Sequence, residues 1–265
     1  MTIAYDLSRR TLADGEVTTV YATFHPRATT RVRVTHFPRP RRLDVWCAAQ
    51  GEPEAIIGGF FLRDPFRPLG ELRRDGATIE HAPIAGGYAP RRAVVHATDG
   101  TVAVGPRAAF GDDPPGDLLQ AGPLLMADGA VVYADDADPE GFSATATQFD
   151  SDITVGRHPR AALGLSAEHV IAVACDGRRS GVDAGLTMGE LADVLADLGA
   201  TDAINLDGGG STTLVHKGHL LNRPYSEQDQ PAPKSRPIVS ALLLRGRRMA
   251  PALVGAAACR CGTGR

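Results

Sequence analysis

The sequence predicts a fold in which short strands dominate and helix is sparse, and three observations carry that reading. Thirty glycines and 19 prolines, with one Trp, in 265 residues break the chain into many short elements and exclude an all-α bundle. Short β-branched runs bounded by turn residues recur through residues 1–110. One stretch, 187–199, combines a cap, helical periodicity and a stop. The length suits one domain over 1–246, strand-rich over 1–110 and site-bearing over 155–245, with 247–265 as a flexible tail. A hydrophobic content of 43% and a charged content of 22% are those of a chain that folds alone.

Taken in order, residues 18–24, 31–34, 43–47 and 93–96 read as strands by alternation and β-branched content. Arg39-Pro40-Arg41-Arg42 between them reads as a solvated loop. Residues 134–152, rich in Asp, Gly, Ser and Thr, read as a mobile loop over a site. Residues 170–175 are continuously apolar, as a buried strand requires, and the run stops at Asp176-Gly177-Arg178. Thr187 and Glu190 have capping-box spacing. Met188, Leu191, Ala192, Leu195 and Leu198 then share one helix face, and Gly199 supplies a left-handed stop. A strand at 203–206 follows, so 169–206 predicts a βαβ unit whose second strand returns parallel to the first. Lys217-Gly218 is the turn of a hairpin whose two histidines, His216 and His219, read as part of an exposed strand pair rather than as metal ligands.

Composition also bounds the partners. A formal net charge of −3 argues against a broad electropositive face for nucleic acid. The N-terminus has no apolar run after basic residues, and no stretch reaches the roughly 18 apolar residues of a membrane span. These features predict a cytoplasmic protein without a membrane partner. Cys47 and Cys175 read as small core residues and Cys259 and Cys261 as part of the tail, so no disulfide framework is expected. No metal or other cofactor is expected either.

The sharpest local signal is Asn205-Leu206-Asp207-Gly208-Gly209-Gly210-Ser211-Thr212. Ile204 and Leu206 alternate with Asn205 and Asp207, so a half-buried strand sends the amide and the carboxylate to its opposite face. Gly208, Gly209 and Gly210 then leave no β-carbon between the backbone N–H groups and a ligand. Ser211 and Thr212 add hydroxyls. If the βαβ geometry holds, Asp176 and Asp207 both follow strand ends on one sheet edge, where open sheets bind ligands. Arg160, Arg178 and Arg236 bring guanidiniums suited to gripping a phosphate or carboxylate. Ser211 belongs neither to a P-loop nor to a nucleophile elbow.

These blocks, with His158-Pro159-Arg160, Asp176-Gly177-Arg178 and Arg236-Pro237, resemble the phosphodiester glycosidase family over about residues 155–245. Gly58-Gly59-Phe60-Phe61 and Ala121-Gly122-Pro123-Leu124 resemble earlier blocks of that family. Ile57 stands where the family usually has Asn, which removes an amide contact to substrate, and Ala161 stands where it usually has Thr. The resemblance implies an α+β fold with mixed β-sheets and flanking helices, and hydrolysis of a sugar-1-phosphodiester. On that reading the partner is a small-molecule or oligosaccharide phosphodiester. Asp207 serves as nucleophile or base and Asp176 as the second carboxylate. Arg160 and Arg178 bind the phosphate, Asn205 and Ser211 position the substrate, and Gly208, Gly209, Gly210, Thr212 and Arg236 complete the substrate-binding set. The alternatives are a sugar-phosphate or nucleotide-phosphate binder without turnover, and a phosphodiesterase that breaks the P–O bond.

Overall fold

The computed structural model describes residues 3–148, 153–224 and 235–246. Its largest sheet has seven strands in the order Ala4–Thr11, Val17–Pro26, His169–Cys175, Arg160–Leu165, Asp202–Asn205, Leu124–Ala127 and Ala130–Val131. One five-stranded sheet runs Val102–Pro106, Ala93–Ala97, Asp117–Gln120, Leu72–Arg74 and Ala77–Thr78. A second runs His219–Leu220, Leu214–His216, Ala55–Ile57, Ile238–Gly246 and Thr30–Arg41, and a ribbon pairs Phe61–Arg63 with Phe66–Pro68. Among the described residues there are two α-helices, Leu43–Gln50 and Met188–Asp197, and neither is long and apolar enough to cross a membrane. The described residues end at 246, so the expected tail 247–265, with Cys259 and Cys261, lies outside them.

Every pair of strands in these sheets is antiparallel, which corrects the expected mixed pairing. The βαβ unit is not formed as a paired unit. His169–Cys175 and Asp202–Asn205 each pair antiparallel with Arg160–Leu165, which lies between them. They therefore run in the same direction without touching. The hairpin from Arg160–Leu165 into His169–Cys175 needs only a short turn, and it places Arg160–Leu165 between the two strands that flank the helix in sequence.

The helix itself matches its sequence signals. Glu190 N–H donates to Thr187 Oγ1 at 3.1 Å, and Thr187 N–H donates to Glu190 Oε2 at 2.9 Å. Gly199, just past the end, has φ +83°. Leu191 and Leu195 are buried against Met126, Ile171 and Val173 on one face of the large sheet. The opposite face presents Leu163, Ala172 and Ala174 to a second core with Ile56, Ile57 and Leu242. Burial on both faces is why 170–175 reads as an unbroken apolar run.

Two further expectations change. Residues 43–47 lie in the helix Leu43–Gln50, not in a strand. Leu43 and Cys47 are fully buried one helical turn apart, whereas Val45 between them is 52% exposed. Gly51 closes that helix at φ +68°. Arg39, Pro40 and Arg41 belong to the strand Thr30–Arg41 rather than to a loop. That strand lies at a sheet edge, where a proline's missing N–H costs no ladder bond.

Candidate active site

The strand Asp202–Asn205 delivers the glycine turn to the end of the large sheet. Leu206 N–H donates to Ala161 O at 2.8 Å and Gly209 N–H to Pro159 O at 2.7 Å, extending the contact with the neighbouring strand into the turn. Asp207 N–H donates to Gly58 O at 3.0 Å, and Asn205 Nδ2 donates to Gly122 O at 2.8 Å. The two early blocks, 58–61 and 121–124, thus hold the backbone and amide of the central one. Gly209–Ser211 forms a single 3-10 turn with Ser211 N–H on Gly208 O.

A cavity of about 610 Å³ opens over this turn, within the size range of small-molecule sites. Of the residues singled out from sequence, Arg160, Arg178, Asn205, Asp207, Gly208, Gly209, Gly210, Ser211 and Arg236 line it. A β-carbon on Gly209, whose φ is +56°, would stand 3.0 Å from Arg178 Nη2. One on Gly210 would stand 2.5 Å from Arg236 Nη2. These glycines therefore admit two guanidiniums against the backbone. Asp207 accepts from Gly208 N–H at 2.8 Å and from the Ser211 hydroxyl. Burial nonetheless lifts its pKa to about 6, and the nearby charges of Arg236 and Arg63 offset only part of that shift.

Three expected site residues behave differently. Asp176 does not line the cavity. Its N–H donates to Thr19 O, prolonging the ladder with Val17–Pro26, and its carboxylate accepts from Tyr21 OH at 2.9 Å and from Arg223 N–H at 2.7 Å. A common sheet end did not place it on the cavity side. Burial raises its pKa to about 6. Thr212 is buried and also lies outside the cavity lining. Arg160 does line the cavity, yet its guanidinium donates to three backbone carbonyls: Leu186 at 3.0 Å, Ile153 at 2.7 Å and Gly156 at 2.9 Å. With no carboxylate beside it among the described residues, burial lowers its pKa to about 10. Arg160 is first a clamp on the 153–156 segment, and little of its fork remains for a ligand.

Sequence reasoning missed Arg63, Asp64 and His158, along with the apolar wall formed by Phe60, Phe61 and Ile153. His158 was visible inside its block, and Arg63 and Asp64 follow Gly58-Gly59-Phe60-Phe61 one residue later, but no spacing rule assigned them a role. Thr147 and Gln148, from the polar 134–152 segment, also line the cavity. Ile57 does not; it is fully buried in the core, where its N–H donates to Thr213 O. The hairpin around Lys217-Gly218 forms as expected, but His216 is buried, with Nδ1 2.9 Å from Glu54 Oε2. Among the described residues no three or more His, Cys, Asp or Glu side chains gather as a metal site.

A model of the phosphodiester glycosidase family matches residues 50–245, most of the chain and all of the cavity-lining residues. The chain belongs to the phosphodiester glycosidase family. Among solved structures, it is similar to the zebrafish N-acetylglucosamine-1-phosphodiester alpha-N-acetylglucosaminidase catalytic domain, auto-inhibited by its pro-peptide. The TM-score is 0.69 at 23% identity, over 93% of this chain and 83% of that one. A hypothetical protein from Synechocystis superposes with a TM-score of 0.70 at 19% identity, over 92% of this chain and 62% of that one. At these identities the likeness is one of fold. No curated protein sequence matches the chain. For this phosphodiester glycosidase family member, the cavity at the glycine turn is the candidate active site.

Proposed function

We propose that this chain is a hydrolase that breaks the anomeric C–O bond of a sugar-1-phosphodiester. The observation that carries the reading is the cavity itself, in which the Asp207 carboxyl faces the same space as Arg63, Arg178 and Arg236. Glycoside hydrolysis needs a carboxylate to meet the developing oxocarbenium ion or to activate water, and usually an acid to protonate the leaving group. A phosphate monoester leaves without a proton when cations stabilise its charge. One carboxylate and several guanidiniums then suffice, so the reaction needs neither Asp176, which lies outside the lining, nor Asp64, which lies in it. In this reading Asp207 acts as nucleophile or base, and Arg178 and Arg236 take the phosphate with help from Arg63. Ser211 and the Gly208 N–H orient the carboxylate, and Arg160 holds the cavity wall. The ligand-binding alternative is motivated by Ile57, which lies in the core and outside the cavity lining.

Hydrolysis of a panel of sugar-1-phosphodiesters in oxygen-18 water tests the reading. Attack at the anomeric carbon puts the label on the sugar. Label in the phosphate monoester instead would mean P–O cleavage, and tight binding without product would mean a binding protein.

A further inference from the structure

Two polar side chains of the cavity wall share an arrangement that the reaction above does not use. Asn205 is 1% exposed, and its Nδ2 is tied to Gly122 O at 2.8 Å. A carbonyl can only accept, so the amide orientation is set and Oδ1 is the free end. Oδ1 is buried without a hydrogen-bond partner among the described residues. His158 repeats the pattern. Its Nε2 lies 3.1 Å from Val155 O and must carry the proton there. Burial, with Arg160 and Arg178 nearby, lowers the His158 pKa, so the ring is neutral at neutral pH. Its Nδ1 is then a lone pair, also buried and without a partner among the described residues. The Gly209–Pro159 and Leu206–Ala161 backbone bonds hold the two segments side by side, and both residues line the same cavity.

The cavity therefore carries two opposite demands. Guanidiniums only donate, whereas these two atoms only accept. An ionised phosphate diester satisfies the first and has no donor for the second. Resting on the sugar-1-phosphodiester reading, we infer that His158 and Asn205 form an acceptor pair that receives hydroxyl donors of the sugar, and so are specificity-determining residues of this site. A buried acceptor left unpaired disfavours the ligand that cannot fill it, which is the strongest kind of discrimination a pocket offers.

Calorimetric titration of inorganic phosphate and of glucose 1-phosphate into wild type, His158→Phe and Asn205→Leu tests the pair. Wild type is expected to bind the sugar phosphate more tightly than phosphate, by on the order of tenfold. Each variant should erase most of that ratio while its inorganic phosphate affinity stays within about twofold. General damage to the pocket would weaken both ligands together, so the ratio separates specificity from structure. An unchanged ratio in both variants overturns the inference, as does a wild type that binds the two probes equally or binds neither. If Asn205→Leu does not fold, His158→Phe decides alone. Phosphate label in the oxygen-18 experiment would change the bond cleaved without altering this ratio, so the two proposals fail separately.

Discussion

Gly210 lies directly beneath Arg236, so close that a β-carbon on the glycine would stand 2.5 Å from the guanidinium Nη2. The obstructed atom is the far end of a flexible side chain, so Gly210→Ala moves the charge rather than the backbone. Losing one charge-assisted bond to a phosphate costs about 1.5–3 kcal/mol. A fall of roughly tenfold or more in kcat/KM for diesters is expected, with the melting temperature nearly unchanged. Steady-state kinetics beside thermal melts check it, and an unaltered kcat/KM would remove Arg236 from phosphate binding.

Asp176 holds Tyr21 and the Arg223 backbone rather than the cavity. Asp176→Ala leaves a buried hydroxyl and an N–H without their acceptor, at about 1–3 kcal/mol each. A clear drop in urea midpoint is expected, with activity per folded molecule within a few-fold of wild type. A variant of normal stability that loses activity a thousandfold would return Asp176 to the chemistry.

Ile57→Asn restores the residue usual in the family, but at a fully buried position in the core. The amide gains no partner from the cavity and loses apolar packing, so a destabilisation of at least about 2 kcal/mol is expected. Equilibrium unfolding measures it. A stable variant with faster turnover would show that position 57 reaches substrate.

The parts legible in sequence were those encoded locally. The glycine turn announced itself because Asn205, Asp207 and three glycines are contiguous, and the helix Met188–Asp197 because cap, face and stop lie within one short window. Residues 43–47 misled because Leu43 and Cys47 fit both helical and alternating spacing, and only the exposure of Val45 separates the two. Asp176 misled because the end of a strand fixes which edge a residue reaches, not which neighbour its side chain meets. Arg63 and His158 reach the cavity from distant segments that long-range bonds such as Asp207 N–H to Gly58 O bring together. No periodicity records such bonds.

Asp207 ties the chemistry to pH. Its pKa, lifted from 3.8 to about 6 by burial, means that the folded protein holds this proton more tightly than the unfolded chain does. Between about pH 4 and pH 6 the native state therefore binds more protons, and this carboxyl subtracts from stability as pH rises through that window. Asp207→Asn removes the ionisation at a turn of nearly unchanged shape. Its melting temperature should equal or exceed that of wild type above pH 6, and the advantage should fade towards pH 4. Catalysis moves the other way, because the nucleophile or base must be ionised: wild-type kcat/KM should fall below an acid limb near pH 6, and the variant should lose activity by orders of magnitude at every pH. Melting curves and pH–rate profiles on both proteins check the two halves. A variant that keeps near-wild-type turnover, or a wild-type profile flat down to pH 4.5, would make Asp207 a structural residue and move the reactive group elsewhere in the cavity.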